Sequence, residues 1–166
     1  FLANSRLLDR AGAIVVAEPT ANYPYVGHKG LVWFEIETTG VTAHGSMPEV
    51  GDNAINRMAR VIGDLEHFRF PVESHPVMGS PTLNVGTIRG GLNTNSVPDS
   101  ATITVDIRTV PGVDHGHLCH SLESLLGPRG ATVKPIVDTP ALYTEPENDW
   151  VQEVFAPYLE TADDPE

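Results

Sequence analysis

Between residues 101 and 109 apolar and polar side chains alternate without a break. Ala101, Ile103, Val105 and Ile107 fall on one face of an extended chain, and Thr102, Thr104, Asp106 and Arg108 fall on the other. Successive side chains of a strand point to opposite faces, so this run is a strand with one face buried and one toward water. Such strands belong to antiparallel sheets whose buried face is covered by another layer.

The rest of the chain supplies partners for that strand. Over residues 31–39, Val32, Phe34 and Ile36 oppose Glu35 and Glu37 with the same period of two. Over 53–68 the period lengthens: Ile55, Met58, Ile62 and Leu65 recur at helical spacing, Asp52 or Asn53 can cap the first turn, and Arg57 and Arg60 turn outward. Pro71, Pro76 and Pro81 break the chain into a loop before a strand carrying Leu83, Val85 and Thr87. After the 101–109 strand, Asp114 can cap a helix carrying Leu118, Leu122, Leu125 and Leu126, which Gly127-Pro128 stops. A last strand is expected over 131–137. The order βαββαβ predicts an α+β, ferredoxin-like fold, with two helices on one face of a four-stranded antiparallel sheet.

The flanks read differently. Residues 13–17, Ala-Ile-Val-Val-Ala, form a continuous apolar run expected to be a strand of a parallel sheet buried on both faces, ending in Glu18-Pro19-Thr20. Beyond Asp138, residues 139–146 lead to a helix containing Trp150, Val151, Val154 and Phe155. With 166 residues and 40% hydrophobic content, there is room for one domain and part of another. The chain opens without a methionine, so a piece of a longer protein is expected.

A formal net charge of −12, from 22 acidic and 10 basic residues, repels a phosphate backbone and argues against nucleic acid. Apolar runs are too short for a membrane span, so a soluble protein is expected. The lone Cys119 cannot form an internal disulfide and fits a reducing compartment; it reads as a small apolar residue on a helix.

Three motifs follow one another along the chain. His44-Gly45-Ser46-Met47-Pro48 lies on a loop between the first strand and the first helix, a place where rigid elements hold functional residues. Gly90-Gly91-Leu92-Asn93-Thr94-Asn95-Ser96-Val97-Pro98 forms a turn, and Asp106-Ile107-Arg108 ends the third strand. Together they resemble the lid, or dimerisation, domain of the two-zinc amidohydrolases that include acetylornithine deacetylase, succinyl-diaminopimelate desuccinylase, aminoacylase and glutamate carboxypeptidase. The resemblance spans roughly residues 13 to 155. It implies a remnant of an α/β catalytic domain at 1–27, the lid at 28–138, and a return into the catalytic domain at 139–166.

What the resemblance implies about function is specific. The full-length protein is expected to be a metal-dependent hydrolase, found in the cytoplasm, that cleaves a linear amide of a small N-acyl amino acid or peptide-like substrate bearing a carboxylate. Two divalent metal ions, zinc and possibly cobalt, are implied as cofactors. Glu18 matches the one metal ligand in the chain; the others and the general base have no counterpart, so the fragment alone is expected to be inactive. His44 matches a lid histidine that crosses a homodimer to stabilise the partner site's oxyanion. Asn95 and Arg108 match substrate-binding residues, the guanidinium gripping a carboxylate.

Each assignment has a plainer competitor. His44 can bond its own Pro48-containing turn, Asn95 can serve turn geometry, Arg108 can pair with Asp106, and Glu18 can be a surface carboxylate. Asn93 fits no motif, and His115, His117 and His120 are expected to be solvated helix residues. The competing reading of the whole chain is a stand-alone ferredoxin-like module for self-association or ligand binding, without catalysis.

Overall fold

The strand and helix order expected from the alternation is the order observed in the computed structural model, which describes residues 11–16, 19–20 and 23–162. Its main elements are β1 (Gly30–Thr39), α1 (Ala54–Glu66), β2 (Thr82–Gly90), β3 (Ser100–Thr109), α2 (His115–Leu126) and β4 (Ala131–Thr139). The strands lie in the order β2-β3-β1-β4, every neighbour antiparallel. Central strands β1 and β3 run in unbroken register from Gly30 opposite Thr109 to Thr39 opposite Ser100.

Both central strands bury alternate residues. Val32, Phe34 and Ile36 of β1 and Ala101, Ile103, Val105 and Ile107 of β3 meet Met58, Val61, Leu65, Leu118, Leu122 and Leu126 in one cluster, so both helices cover the same face. Removing this much apolar surface from water is the main term holding the sheet to the helices. Thr38, also fully buried, satisfies its hydroxyl by donating to the Ala54 carbonyl at 2.9 Å.

Several expectations need correction. The core stripe of α1 is Ala54, Met58, Val61 and Leu65; Ile62 packs beside it and Ile55 is 38% exposed. A stripe at i, i+4, i+7 and i+11 stays on one line of a 3.6-residue helix, which leaves position 55 one residue off it. Leu125 is likewise off the buried line of α2 at 37% exposure. Arg57 stays partly in water, 33% exposed, but is not free: its Nε donates to Asp52 Oδ1 at 3.0 Å and its Nη2 pairs with Oδ2. Asp52 being so engaged, Asn53 is the cap, accepting the Asn56 N–H at 3.0 Å.

Residues divide into two units, His28–Leu142 and the flanks Phe1–Gly27 with Tyr143–Glu166. In the flanks, helix α3 (Asp149–Ala162) includes Trp150, Val151, Val154 and Phe155, as expected, and buries Val151. The strand expected over 13–17 is not seen at 13–16, where Ile14, Val15 and Val16 are exposed. A strand buried on both faces needs paired neighbours, and no described strand pairs with these residues. Ala17 and Glu18 lie outside the described residues. Among the described residues no helix is long and apolar enough to cross a membrane.

Candidate functional site

Because Thr39 sits opposite Ser100, the chain leaving β1 and the chain entering β3 depart the same end of the sheet side by side. Segment 40–54 and turn 91–99 are then laced by backbone bonds: Gly40 N to Asp99 O at 2.8 Å, Gly45 N to Asn95 O at 2.7 Å, Val97 N to Ala43 O at 2.8 Å, and Ala54 N to Pro98 O at 2.9 Å. Val41 and Asp52 exchange both of their bonds at 2.8 Å, closing the base of the His44 loop. Gly91, at φ +72°, starts the turn in a left-handed conformation that favours glycine. Val97 is buried and anchors the turn's far side.

His44 sits at the tip of this lacing, bridged to Ser96 and exposed. Its Nδ1 lies 2.7 Å from Ser46 Oγ and accepts the Ser46 backbone N–H at 3.2 Å, so the ring does bond its own loop. No described residue bonds Nε2. Asn95 is exposed on the adjoining turn, its carbonyl holding Gly45, so His44 and Asn95 are brought together. Asn93 acquires a structural role: its Oδ1 accepts the Ser96 hydroxyl and braces the turn.

Arg108 is elsewhere. It lies eight residues along β3 from Ser100, a separation of roughly 26 Å at strand rise, at the opposite end of the sheet. Its Nε approaches Asp106 Oδ1 at 2.9 Å and its Nη2 donates to Oδ2 at 3.0 Å, with the guanidinium still partly in water. Asp106 thus fills the Nε–Nη2 edge of the guanidinium, and no described residue bonds Nη1.

The three α2 histidines do not behave alike. His117 and His120 are exposed as expected, but the reading of His115 as solvated is corrected, its side chain being 14% exposed. Its Nδ1 donates to Asp138 Oδ1 at 2.5 Å, and its Nε2 lies 2.8 Å from the Thr109 hydroxyl. Thr109 is the next inward position after Ile107, so its hydroxyl is buried and needs a partner, which the first residue of α2 provides. Inward alternation ending on a threonine was the available signal. Ser46 was the other residue missed, its signal being its place two residues after a loop histidine.

Among the described residues no group of three His, Cys, Asp or Glu side chains is placed to hold a metal ion, and the nominated ligand Glu18 is outside them. The carboxyls of Asp52, Asp64 and Asp114 are held below the usual range by hydrogen bonds from Arg57, from Arg129 and from the His117 backbone N–H, respectively. None of these adjoins His44 as a proton acceptor; they brace α1 and α2.

Residues 26–133 match the family described as the peptidase dimerisation domain. A probable carboxypeptidase of Ajellomyces dermatitidis is 38% identical over 105 residues, covering 60% of this chain and 24% of that protein. An acetylornithine deacetylase of Vibrio atlanticus is 36% identical over 117 residues, covering 68% of this chain and 31% of that protein. The chain therefore spans less than a third of the length of these two curated relatives. Aminopeptidase PepT from Bacillus cereus shares the fold, with a TM-score of 0.59 at 22% identity over 82% of this chain and 36% of that one. On the match across most of its length, and on the βαββαβ sheet that carries the laced loop pair, this chain belongs to the peptidase dimerisation domain family.

Proposed function

We propose that this dimerisation domain is the lid of a metal-dependent hydrolase that cleaves a linear amide of a small, carboxylate-bearing substrate, and that its active site is completed by two copies of the chain. Deacetylase and carboxypeptidase, the names carried by the relatives, both describe cleavage of a carbon–nitrogen amide bond. In this reading His44 donates from Nε2 to the oxyanion that forms when water adds to the amide carbonyl, before the amine leaves. A donor aimed at charge present only in the transition state is worth about 3–4 kcal/mol. Asn95 contacts the same substrate from the adjoining turn, and the open edge of Arg108 takes the carboxylate.

One observation carries the two-copy reading. His44 and Asn95 stand at one end of the sheet and Arg108 at the other, farther apart than any small amide extends. If all act on one substrate, one lid supplies the arginine and another the histidine. A homodimer joined through α1 and edge strand β2 would do so, and exposed Ile55 and Ile88 on those elements support that face.

Two divalent ions, zinc or cobalt, belong to this proposal with Glu18 as the chain's one ligand. The described residues form no donor set for them. Lone Cys119 supports a cytoplasmic setting and the acidic balance argues against a nucleic-acid partner.

The test is subunit complementation in the full-length protein. His44→Ala should lower kcat about 10²- to 10³-fold with metal content unchanged, and Arg108→Ala should impair carboxylate-bearing substrates. Mixed dimers of the two variants should regain activity, since one of their two sites has both groups intact. Near-normal turnover of His44→Ala removes its role, and inactive mixed dimers remove the two-copy site.

A further inference from the structure

We propose that Ser46 is a positioning residue that sets which ring nitrogen of His44 carries the proton, leaving Nε2–H as the outward donor. This rests on the reading of His44 as an oxyanion donor and adds what makes that donor available.

The contact at Nδ1 has a definite polarity. Ser46 presents two groups to that atom, its hydroxyl at 2.7 Å and its backbone N–H at 3.2 Å. A hydroxyl can donate or accept, but a backbone N–H only donates. Nδ1 facing that N–H must therefore offer its lone pair, which puts the proton of the neutral ring on Nε2. The opposite tautomer would point its N–H at another N–H and keep only the hydroxyl as acceptor.

Orientation follows from the same loop. Met47 N–H donates to the His44 carbonyl at 2.9 Å, closing a turn that holds Ser46 beneath the ring, and the bridge to Ser96 fixes the backbone on the other side. Nε2 points away from these bonds and has no partner among the described residues. Without Ser46 Oγ the ring would lose its shorter contact and rotate more freely. A donor needed only in the transition state suffers from that in kcat rather than KM.

The experiment joins a spectroscopic and a kinetic readout on the full-length protein. Histidine labelled with nitrogen-15, with the His44 signals assigned by their loss in His44→Gln, should show a pyridine-like Nδ1 and a pyrrole-like Nε2 in the wild type. Ser46→Ala keeps the backbone N–H at 3.2 Å but loses the shorter hydroxyl contact, so both signals should move part of the way toward the average of mixed tautomers and kcat should fall about three- to tenfold, the range of one hydrogen bond, with KM within about twofold. Ser46→Thr, which keeps the hydroxyl, should restore both readouts. A pyrrole-like Nδ1 in the wild type, or unchanged kcat and signals in Ser46→Ala while His44→Ala is severely impaired, overturns the role of Ser46 alone. Near-normal turnover of His44→Ala overturns the donor reading beneath it.

Discussion

Gly51 offers a sharp test of how the His44 loop is held. Its backbone, at φ −108° and ψ −178°, is extended and open to any residue, so replacing it costs nothing in conformation. Space is the issue. A Cβ there would stand 2.8 Å from the Val41 carbonyl, 2.9 Å from Ala43 Cβ and 3.1 Å from Val97 Cγ1. Val97 can yield a few tenths of an ångström by side-chain motion. The Val41 carbonyl cannot, since it accepts the Asp52 N–H at 2.8 Å in the bridge that closes the loop. Gly51→Ala should therefore cost about 1–3 kcal/mol as an overpacked site. Gly63→Ala is the matched control: it lies inside α1 with nothing within 4 Å of its Cβ, and should stabilise by about 0.5–1 kcal/mol. Urea unfolding read as midpoint at constant m separates the two. Ångström-scale displacement of a positioned group can cost about 10²-fold in rate, so turnover of the full-length protein should also fall in Gly51→Ala and not in Gly63→Ala. If Gly51→Ala is neutral, or both variants move in the same direction, the loop is not held by the close approach described above.

Other consequences follow from the same geometry. Arg108→Ala should weaken kcat/KM for a carboxylate-bearing amide by about 10- to 100-fold, from loss of a charge-assisted pair worth about 1.5–3 kcal/mol, with Lys restoring little of the planar fork; an equal loss on an amide lacking the carboxylate would refute its assignment. Asp52, Asp64 and Asp114 have folded-state pKa values below the unfolded value, so their stabilisation is present above that value and is lost as pH falls through the folded one. The thermal midpoint should hold above about pH 5 and decline below about pH 4, more gently in Asp64→Asn. The effect is modest, because these pairs stand in solvent; a midpoint flat to pH 2 would contradict it. Ile55→Glu combined with Ile88→Glu should shift sedimentation toward monomer, and an unchanged dimer would place the interface elsewhere.

How much was legible in the chain depended on whether an interaction is local. The β1 and β3 alternation needed no partner to be read, because the period of two is a property of the extended backbone, and its inward residues are the buried ones. Asp114 and the segment around Asn53 announced the helix starts for the same reason. The choice between Asp52 and Asn53 turned on a side-chain pairing that periodicity does not encode: Arg57, five residues on, took one carboxylate and left the amide to cap. His115 looked like its neighbours on α2 until Thr109 and Asp138 came to it from two other strands, 6 and 23 residues away. Residues 13–16 carried a buried strand's composition, yet burial on both faces is supplied by other segments.

By itself the sequence determined the order of elements, the faces of the central strands and the position of His44 on a loop between a strand and a helix, all consequences of backbone periodicity and capping within a few residues. Tertiary structure alone decided that Asn95 lies beside that histidine and that Arg108 stands at the far end of the sheet. Both depend on which residue of one strand faces which residue of another, here Thr39 against Ser100. That register emerges only when the whole buried face is packed at once.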